Sequence, residues 1–270
     1  MKKGIRGHDV RAQGLGNICD VAKQKGIEYL QLVLEKSIDD FKTGDFSEEY
    51  AEQIKKQLGD TQVVILGSYI NPSHPDDETL RSEINKFKEK IQYARILNPV
   101  AVGTETGKYK EGETYSEEAY QRLLKTMREI VDYAEEYDVN VGIEGVCWFV
   151  INTPKKMKRI VDDLASSNVK VIFDPVNYLN FDNYESQDEM IKDAFDLLSD
   201  RICAIHAKDF IVEDGRLKGT KITEGMLNYN LMFEKMREYN VDVPIICEGM
   251  NEEDSCIAYE KLECIRKNYE

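Results

Sequence analysis

Along the whole 270-residue chain, short runs rich in Val and Ile alternate with stretches of helical periodicity. The last four runs each stop on a residue able to hold a metal ion: VNVGIEG at Glu144, VKVIFDP at Asp174, ICAIHAKD at His206 and VPIICEG at Glu248. Runs of this length read as strands, and the helical stretch after each reads as a crossover to a parallel neighbour. Strand side chains alternate between faces, so Gly142, Ile172, Ala204 and Ile246 are expected to share a face with the four polar residues. Val141, Ile143, Val171, Phe173, Cys203, Ile205, Ile245 and Cys247 are expected on the other face, packed against helices.

The order of elements predicts eight strand–helix units. GIRGHDV near residues 4–10 is the first strand, followed by a helix from Leu15 to Lys25 and a second strand, YLQLVL, at 29–34. A helix begins after Ser47 and ends at Gly59, and QVVILGSYI is the third strand, running into the loop 71–75. A long helix from Asp76 to Leu97 leads to VAVGTETG with Glu105 near its end, and another from Ser116 to Tyr137 leads to the Glu144 strand. Thr153 followed by Pro154 is a helix start, because proline at the first helical position loses no internal hydrogen bond. Helices at 154–165, 188–199 and 229–239 separate the remaining strands, and a last helix closes the chain.

Eight such units in 270 residues fit a (β/α)8 barrel spanning 1–270 as a single domain. An open doubly wound sheet is the other arrangement of this pattern, but it seldom needs eight units, and no glycine-rich phosphate loop follows the first strand. No linker, low-complexity tract or repeat divides the chain. The opening MKKGIRGHDV lacks the apolar stretch of a signal peptide and no run is long enough to span a bilayer, so a cytoplasmic protein without a membrane partner is expected. The 6 cysteines form no CxxC pair and read as reduced structural thiols. A net charge of −15 repels polyanions and speaks against nucleic acid as a partner.

In a barrel the active-site groups come from the C-terminal strand ends, where all four candidate ligands fall. Consecutive strands would bring their tips around one point. Three carboxylates and an imidazole make an oxygen-rich site suited to one divalent cation, Mn2+ first, with Mg2+, Co2+ or Zn2+ also open. Without a cation the carboxylates would repel one another until one of them took up a proton. A single Glu at a strand end is usually a solvated or ion-paired residue; four successive strands ending this way are harder to ascribe to coincidence.

Around these four, Lys208 shares the face of His206 and lies nearer the mouth, where it could hold a substrate oxygen or simply an ion pair. Asp209 points the other way, toward its loop. Glu105 and His74 end the fourth and third strands and are candidates for the rim of a substrate pocket. Tyr69 and Trp148 could offer flat apolar faces to a sugar ring.

With these residues in view, the chain resembles the xylose-isomerase-like barrels, which include endonuclease IV and the ketose 3-epimerases. The resemblance runs over nearly the whole chain and is carried most specifically by GIEG (142–145), FDPVN (173–177), HAKD (206–209) and CEG (247–249). ITEGMLNY, at 222–229, is similar to the family's loop before the seventh helix. The resemblance implies a divalent metal held by Glu144, Asp174, His206 and Glu248, a small-molecule sugar or sugar phosphate as substrate, and a homo-oligomer. It implies an isomerase or epimerase that moves a proton through a metal-stabilised enediolate, with Glu144 and Glu248 as the catalytic acid–base pair. Two positions depart from the ketose 3-epimerases. Asn177 stands where they carry His, so it can bind a hydroxyl but cannot carry a proton, and Val150 stands where they carry a second Glu.

These departures speak against that one activity and leave related isomerases, epimerases or a keto-polyol dehydratase open. A metal-dependent endonuclease would need many His ligands, and the chain has only His8, His74 and His206. A non-catalytic sugar-binding barrel is the remaining alternative.

Overall fold

The alternation closes on itself. In the computed structural model, which describes residues 1–269, the strands in chain order are β1 (Lys3–Arg6), β2 (Tyr29–Leu32), β3 (Gln62–Gly67), β4 (Ala101–Glu105), β5 (Val141–Glu144), β6 (Val169–Phe173), β7 (Ile202–Ala207), β8 (Asp209–Glu213), β9 (Arg216–Thr220) and β10 (Ile245–Cys247). All but β8 and β9 form a closed parallel barrel in which β10 joins β7 to β1. The helices are α1 (Leu15–Gln24), α2 (Leu34–Ser37), α3 (Glu48–Leu58), α4 (Asp77–Leu97), α5 (Glu117–Glu135), α6 (Pro154–Leu164), α7 (Gln187–Leu198), α8 (Tyr229–Glu238) and α9 (Glu252–Arg266).

Local chemistry explains where the helices start. Ser47, Asp76, Ser116 and Thr153 each accept a hydrogen bond from a backbone N–H in the first turn that would otherwise have no partner. On α5, Leu123, Met127, Ile130 and Ala134 recur at helical spacing and are fully buried, which turns one face onto the barrel. No helix among the described residues is long and apolar enough to cross a membrane.

The core has two layers. Val141, Ile143, Val171, Phe173, Ile205, Ile245 and Cys247 pack outward with the helices, as their alternation requires. Val64, Ile65, Ala101, Ile172, Ala204 and Ile246 fill the barrel's centre. Cys203, expected on the outer face, joins this inner group. The register explains why: Val171 pairs with Ile202 but Ile172 with Ala204, so Cys203 is an extra residue whose bulge turns it inward. A similar shift lets Val64 and Ile65 both face inward on β3. The centre is tight at Gly103, where a Cβ would stand 2.6 Å from Ile65 Cγ2 and 2.8 Å from Ile172 Cδ1.

Three elements differ from expectation. The first strand stops at Arg6, and Gly7–Asp9 form a 3-10 turn instead of continuing it. The second strand stops at Leu32, and Leu34–Ser37 turns into a short helix. The segment after His206 continues into an antiparallel ribbon, β8 with β9, turned by Asp214 and Gly215, both at positive φ. That is the geometry Asp-Gly favours between paired strands, so this dipeptide is the sequence signal for the ribbon.

Candidate active site

The four polar strand ends meet. Glu144 ends β5, Asp174 follows β6, His206 lies within β7 and Glu248 follows β10. His206 Nδ1 stands 3.3 Å from Glu144 Oε1, 3.7 Å from Asp174 Oδ2 and 3.2 Å from Glu248 Oε2. One ligand atom each from Glu144, Asp174 and His206 lie within 4.8 Å of one another, all three residues being buried. Glu248 lies outside that tightest set and is somewhat more open, at 15% side-chain exposure.

Its neighbours organise this cluster. Asn177 Nδ2 donates to Glu144 Oε1 at 2.7 Å, and Asn177 Oδ1 accepts from Lys208 Nζ at 3.1 Å. Lys208 Nζ also pairs with Asp174 Oδ2 at 2.8 Å and Glu248 Oε1 at 3.0 Å. Asp209 faces away and accepts from the backbone N–H groups of Phe210, Gly225 and Leu227, tying the ribbon to the loop before α8. Tyr178 packs so closely under Gly145 that a Cβ there would lie 2.2 Å from its hydroxyl, which keeps the chain after Glu144 pressed onto the β6–α7 loop.

The electrostatics follow from burial and crowding. Burial alone would lower the His206 pKa, but Glu144, Asp174 and Glu248 outweigh it and push it up to about 10. Burial alone would raise the Asp174 carboxyl, yet Lys208 and His206 hold it at about 2. Glu105, beside Glu144 in the sheet register, is pushed up to about 7 by burial and by the charge of Glu144. A protonated imidazole would serve here as a counter-charge for the three carboxylates. Metal ligation would require His206 neutral and would replace that proton by the cation. Three carboxylates and one imidazole nitrogen fit a hard divalent ion, and the residues that could hold it are Glu144, Asp174, His206 and Glu248.

Glu105 and Tyr69 line a cavity of about 580 Å3 that Glu144 and Glu248 border. His74 does not line it; its ring nitrogen accepts from Asp76 N at 3.2 Å in the turn before α4, and its carbonyl accepts from Arg122. Trp148, 55% exposed, lies in the β5–α6 loop and lines a separate groove of about 510 Å3 beside Asn177 and the ribbon tip.

Sequence reasoning missed Arg6. At the end of β1 its Nη1 donates to Glu248 Oε1 at 2.7 Å, while Asp9 grips its Nε and Nη2 at 2.7 and 3.0 Å. Asp9 also accepts from Gly249 N at 3.1 Å, closing the seam between the first and last barrel strands. The Arg-x-x-Asp spacing in RGHD is visible in the sequence, but nothing in it names Glu248, 242 residues away, as the partner.

The sequence pattern of the family described as xylose isomerase-like TIM barrel matches residues 19–268. An uncharacterized protein of Methanocaldococcus jannaschii is 26% identical over 200 residues, covering 73% of this chain and 66% of its own. The inosose isomerase of Bacillus velezensis is 24% identical over 168 residues, covering 59% and 56%. The chain thus matches between about half and two thirds of the length of these relatives. Among solved structures, a D-tagatose 3-epimerase-like protein superposes with a TM-score of 0.80 at 21% identity, covering 100% of this chain and 98% of its own. The IOLI protein with a bound zinc atom gives 0.81 at 16%, covering 100% and 99%. These last two likenesses speak to the fold alone. With a family pattern covering nearly its whole length on a closed eight-stranded parallel barrel, the chain belongs to the xylose isomerase-like TIM barrel family.

Proposed function

We propose that the protein is a metal-dependent isomerase or epimerase of a small sugar or sugar phosphate, working by proton transfer beside a carbonyl. The observation that carries the reading is the convergence of three carboxylates from β5, β6 and β10 within 3.7 Å of one imidazole nitrogen. The names borne by relatives, an inosose isomerase and a D-tagatose 3-epimerase-like protein, favour the same chemistry.

Glu144, Asp174, His206 and Glu248 would hold the cation, Mn2+ by preference. When bound, it supplies Lewis acidity that makes the C–H next to a carbonyl easier to ionise. Glu144 and Glu248 then act as the acid–base pair: one takes a proton and the other returns one from a different side of the substrate. Asn177 keeps Glu144 oriented through its 2.7 Å hydrogen bond, and Lys208 places a positive charge where oxygen gains negative charge. Glu105 and Tyr69 border the space a substrate would fill.

Incubation with a panel of ketoses in deuterated water with Mn2+ should label a carbon-bound position. Absence of exchange with every ketose would overturn the reading. Loss of water from the product would instead identify a keto-polyol dehydratase, the chemistry named for one structural relative, a probable 3-DHS dehydratase.

A further inference from the structure

The cavity beside the carboxylate cluster has a second wall, built from the ends of the first three strands. Gln31 on β2 is 2% exposed, and its Nε2 donates to the hydroxyl of Tyr69, which follows β3. Gln31 Oε1 is buried and has no hydrogen-bond partner, and the same holds for Nδ1 of His8, just after β1. All three residues line the cavity of about 580 Å3 that Glu144 and Glu248 border. Gln31 is also the register partner of Arg6, so it sits one strand away from the side chain that grips Glu248.

A buried carbonyl oxygen without a donor is destabilising, a cost that a ligand removes if its N–H or O–H reaches that oxygen. The charges around the cavity restrict that ligand further. Arg6 is committed to Asp9 and Glu248, and Lys86 pairs with Glu83 at 2.6 Å. Lys36, exposed at the rim, is the one lysine of this wall without an ion pair among the described residues. A phosphate dianion carries no proton to offer Gln31 Oε1, and among the described residues of this wall only Lys36 is left to meet its charge. A hydroxyl group donates one hydrogen bond and accepts another, which suits an amide oxygen beside a phenol and an imidazole.

We propose that Gln31, Tyr69 and His8 form a subsite that reads the hydroxyl groups of an uncharged substrate tail, so that the substrate is a polyhydroxy compound without a phosphate. That the bound molecule is a substrate rests on the proton-transfer reading above; the hydroxyl-binding subsite does not. Sorbitol, an open-chain hexitol with no carbonyl to turn over, therefore probes it directly against sorbitol 6-phosphate, with affinities for the full chain taken from ligand-observed saturation-transfer NMR. The expected result is that the wild-type protein binds sorbitol at least tenfold more tightly than its phosphate, and that Gln31→Leu weakens sorbitol about tenfold or more. Tyr69→Phe, at a half-open position that tolerates the change, should weaken sorbitol by a smaller factor, and it replaces Gln31→Leu as the test if that variant fails to fold.

Undetectable sorbitol binding, equal or tighter binding of the phosphate, or affinity within twofold of wild type in the folded variants would each overturn the subsite. If sorbitol follows the expected pattern while no ketose exchanges deuterium, the subsite stands and the proton-transfer reading falls. If a ketose exchanges deuterium while sorbitol fails the pattern, proton transfer stands and the subsite falls.

Discussion

From β5 to β10 the barrel strands deliver Glu144, Asp174, His206 and Glu248 to one point, whereas β1, β2 and β3 bring Arg6, Gln31 and Tyr69 to the cavity beside it. The first group is ionisable throughout and sits at the ends of apolar runs. The second is mixed in chemistry and reaches its partners through side chains alone. One half of the rim supplies the carboxylate–imidazole cluster, and the other fixes one of its members and shapes the neighbouring space. Parallel strands make this division possible, because every C-terminal end opens on the same side and each loop can specialise without disturbing the barrel.

The cluster's boundary predicts unequal effects for two glutamates that are neighbours in the sheet. Glu144→Gln should lower ketose exchange by about 10²–10⁴-fold, the usual range for removing an acid–base group, and should weaken Mn2+ binding. Glu105→Gln, its register partner on β4, should change exchange by less than about tenfold, since it borders the cavity without joining the cluster. Rates of deuterium incorporation and Mn2+ titration calorimetry on both variants check this. Equal losses would extend the cluster across β4, toward the amino-terminal strands.

Both halves depend on the same floor. Ile172 reaches across the barrel centre to within 2.8 Å of where a Gly103 Cβ would be and 3.0 Å of the corresponding point at Gly142. Neither glycine has a side chain to fill the space, so Ile172→Ala should cost about 2–5 kcal/mol in chemical denaturation. A loss under about 1 kcal/mol would mean that the floor relaxes and does not hold the two halves in register.

What is legible in the sequence follows the same division. Glu144, Asp174, His206 and Glu248 can be read because periodicity gives both the strand and the face, and the barrel then places every strand end on one side. Lys208 and Asn177 follow from their offsets to His206 and Asp174. Arg6 and Gln31 cannot be read, since an arginine or glutamine on a strand gains meaning only from partners across the barrel, such as Glu248 and Tyr69. Strict alternation puts Cys203 on the wrong face because it has no means of announcing a bulge. The ribbon escapes a periodicity reading although Asp214-Gly215 signals it, because β9 is largely exposed and has no buried face to mark it as a strand.

Arg6 is where the amino-terminal strands reach into the cluster. Groups that hydrogen-bond to ligating carboxylates typically contribute about 10–100-fold to metal affinity, and Arg6, itself fixed by Asp9, holds Glu248 with one oxygen turned toward His206. Arg6→Met should therefore weaken Mn2+ binding by about 10–100-fold in calorimetry, with Arg6→Lys recovering part of the loss. Unchanged or tighter binding in Arg6→Met would show that the carboxyl-terminal strands build the cluster unaided.

The ribbon gives the smallest effect and the sharpest local test. Gly215 has φ of 69° and no atom near the position of an added Cβ, so the cost of Gly215→Ala is that of a left-handed backbone alone, about 1–2 kcal/mol. The ribbon pairs with no barrel strand and is tied down through Asp209 and the loop before α8. The cost should therefore emerge as faster hydrogen exchange in amides of β8 and β9, with little change in the barrel's own protection. Because Lys208 lies between β7 and β8, a loosened ribbon should also raise the KM of any exchanging ketose more than it lowers kcat. If protection falls uniformly over barrel and ribbon, the ribbon is an integral part of the barrel's folding unit and not a cover laid over a site that the barrel already holds.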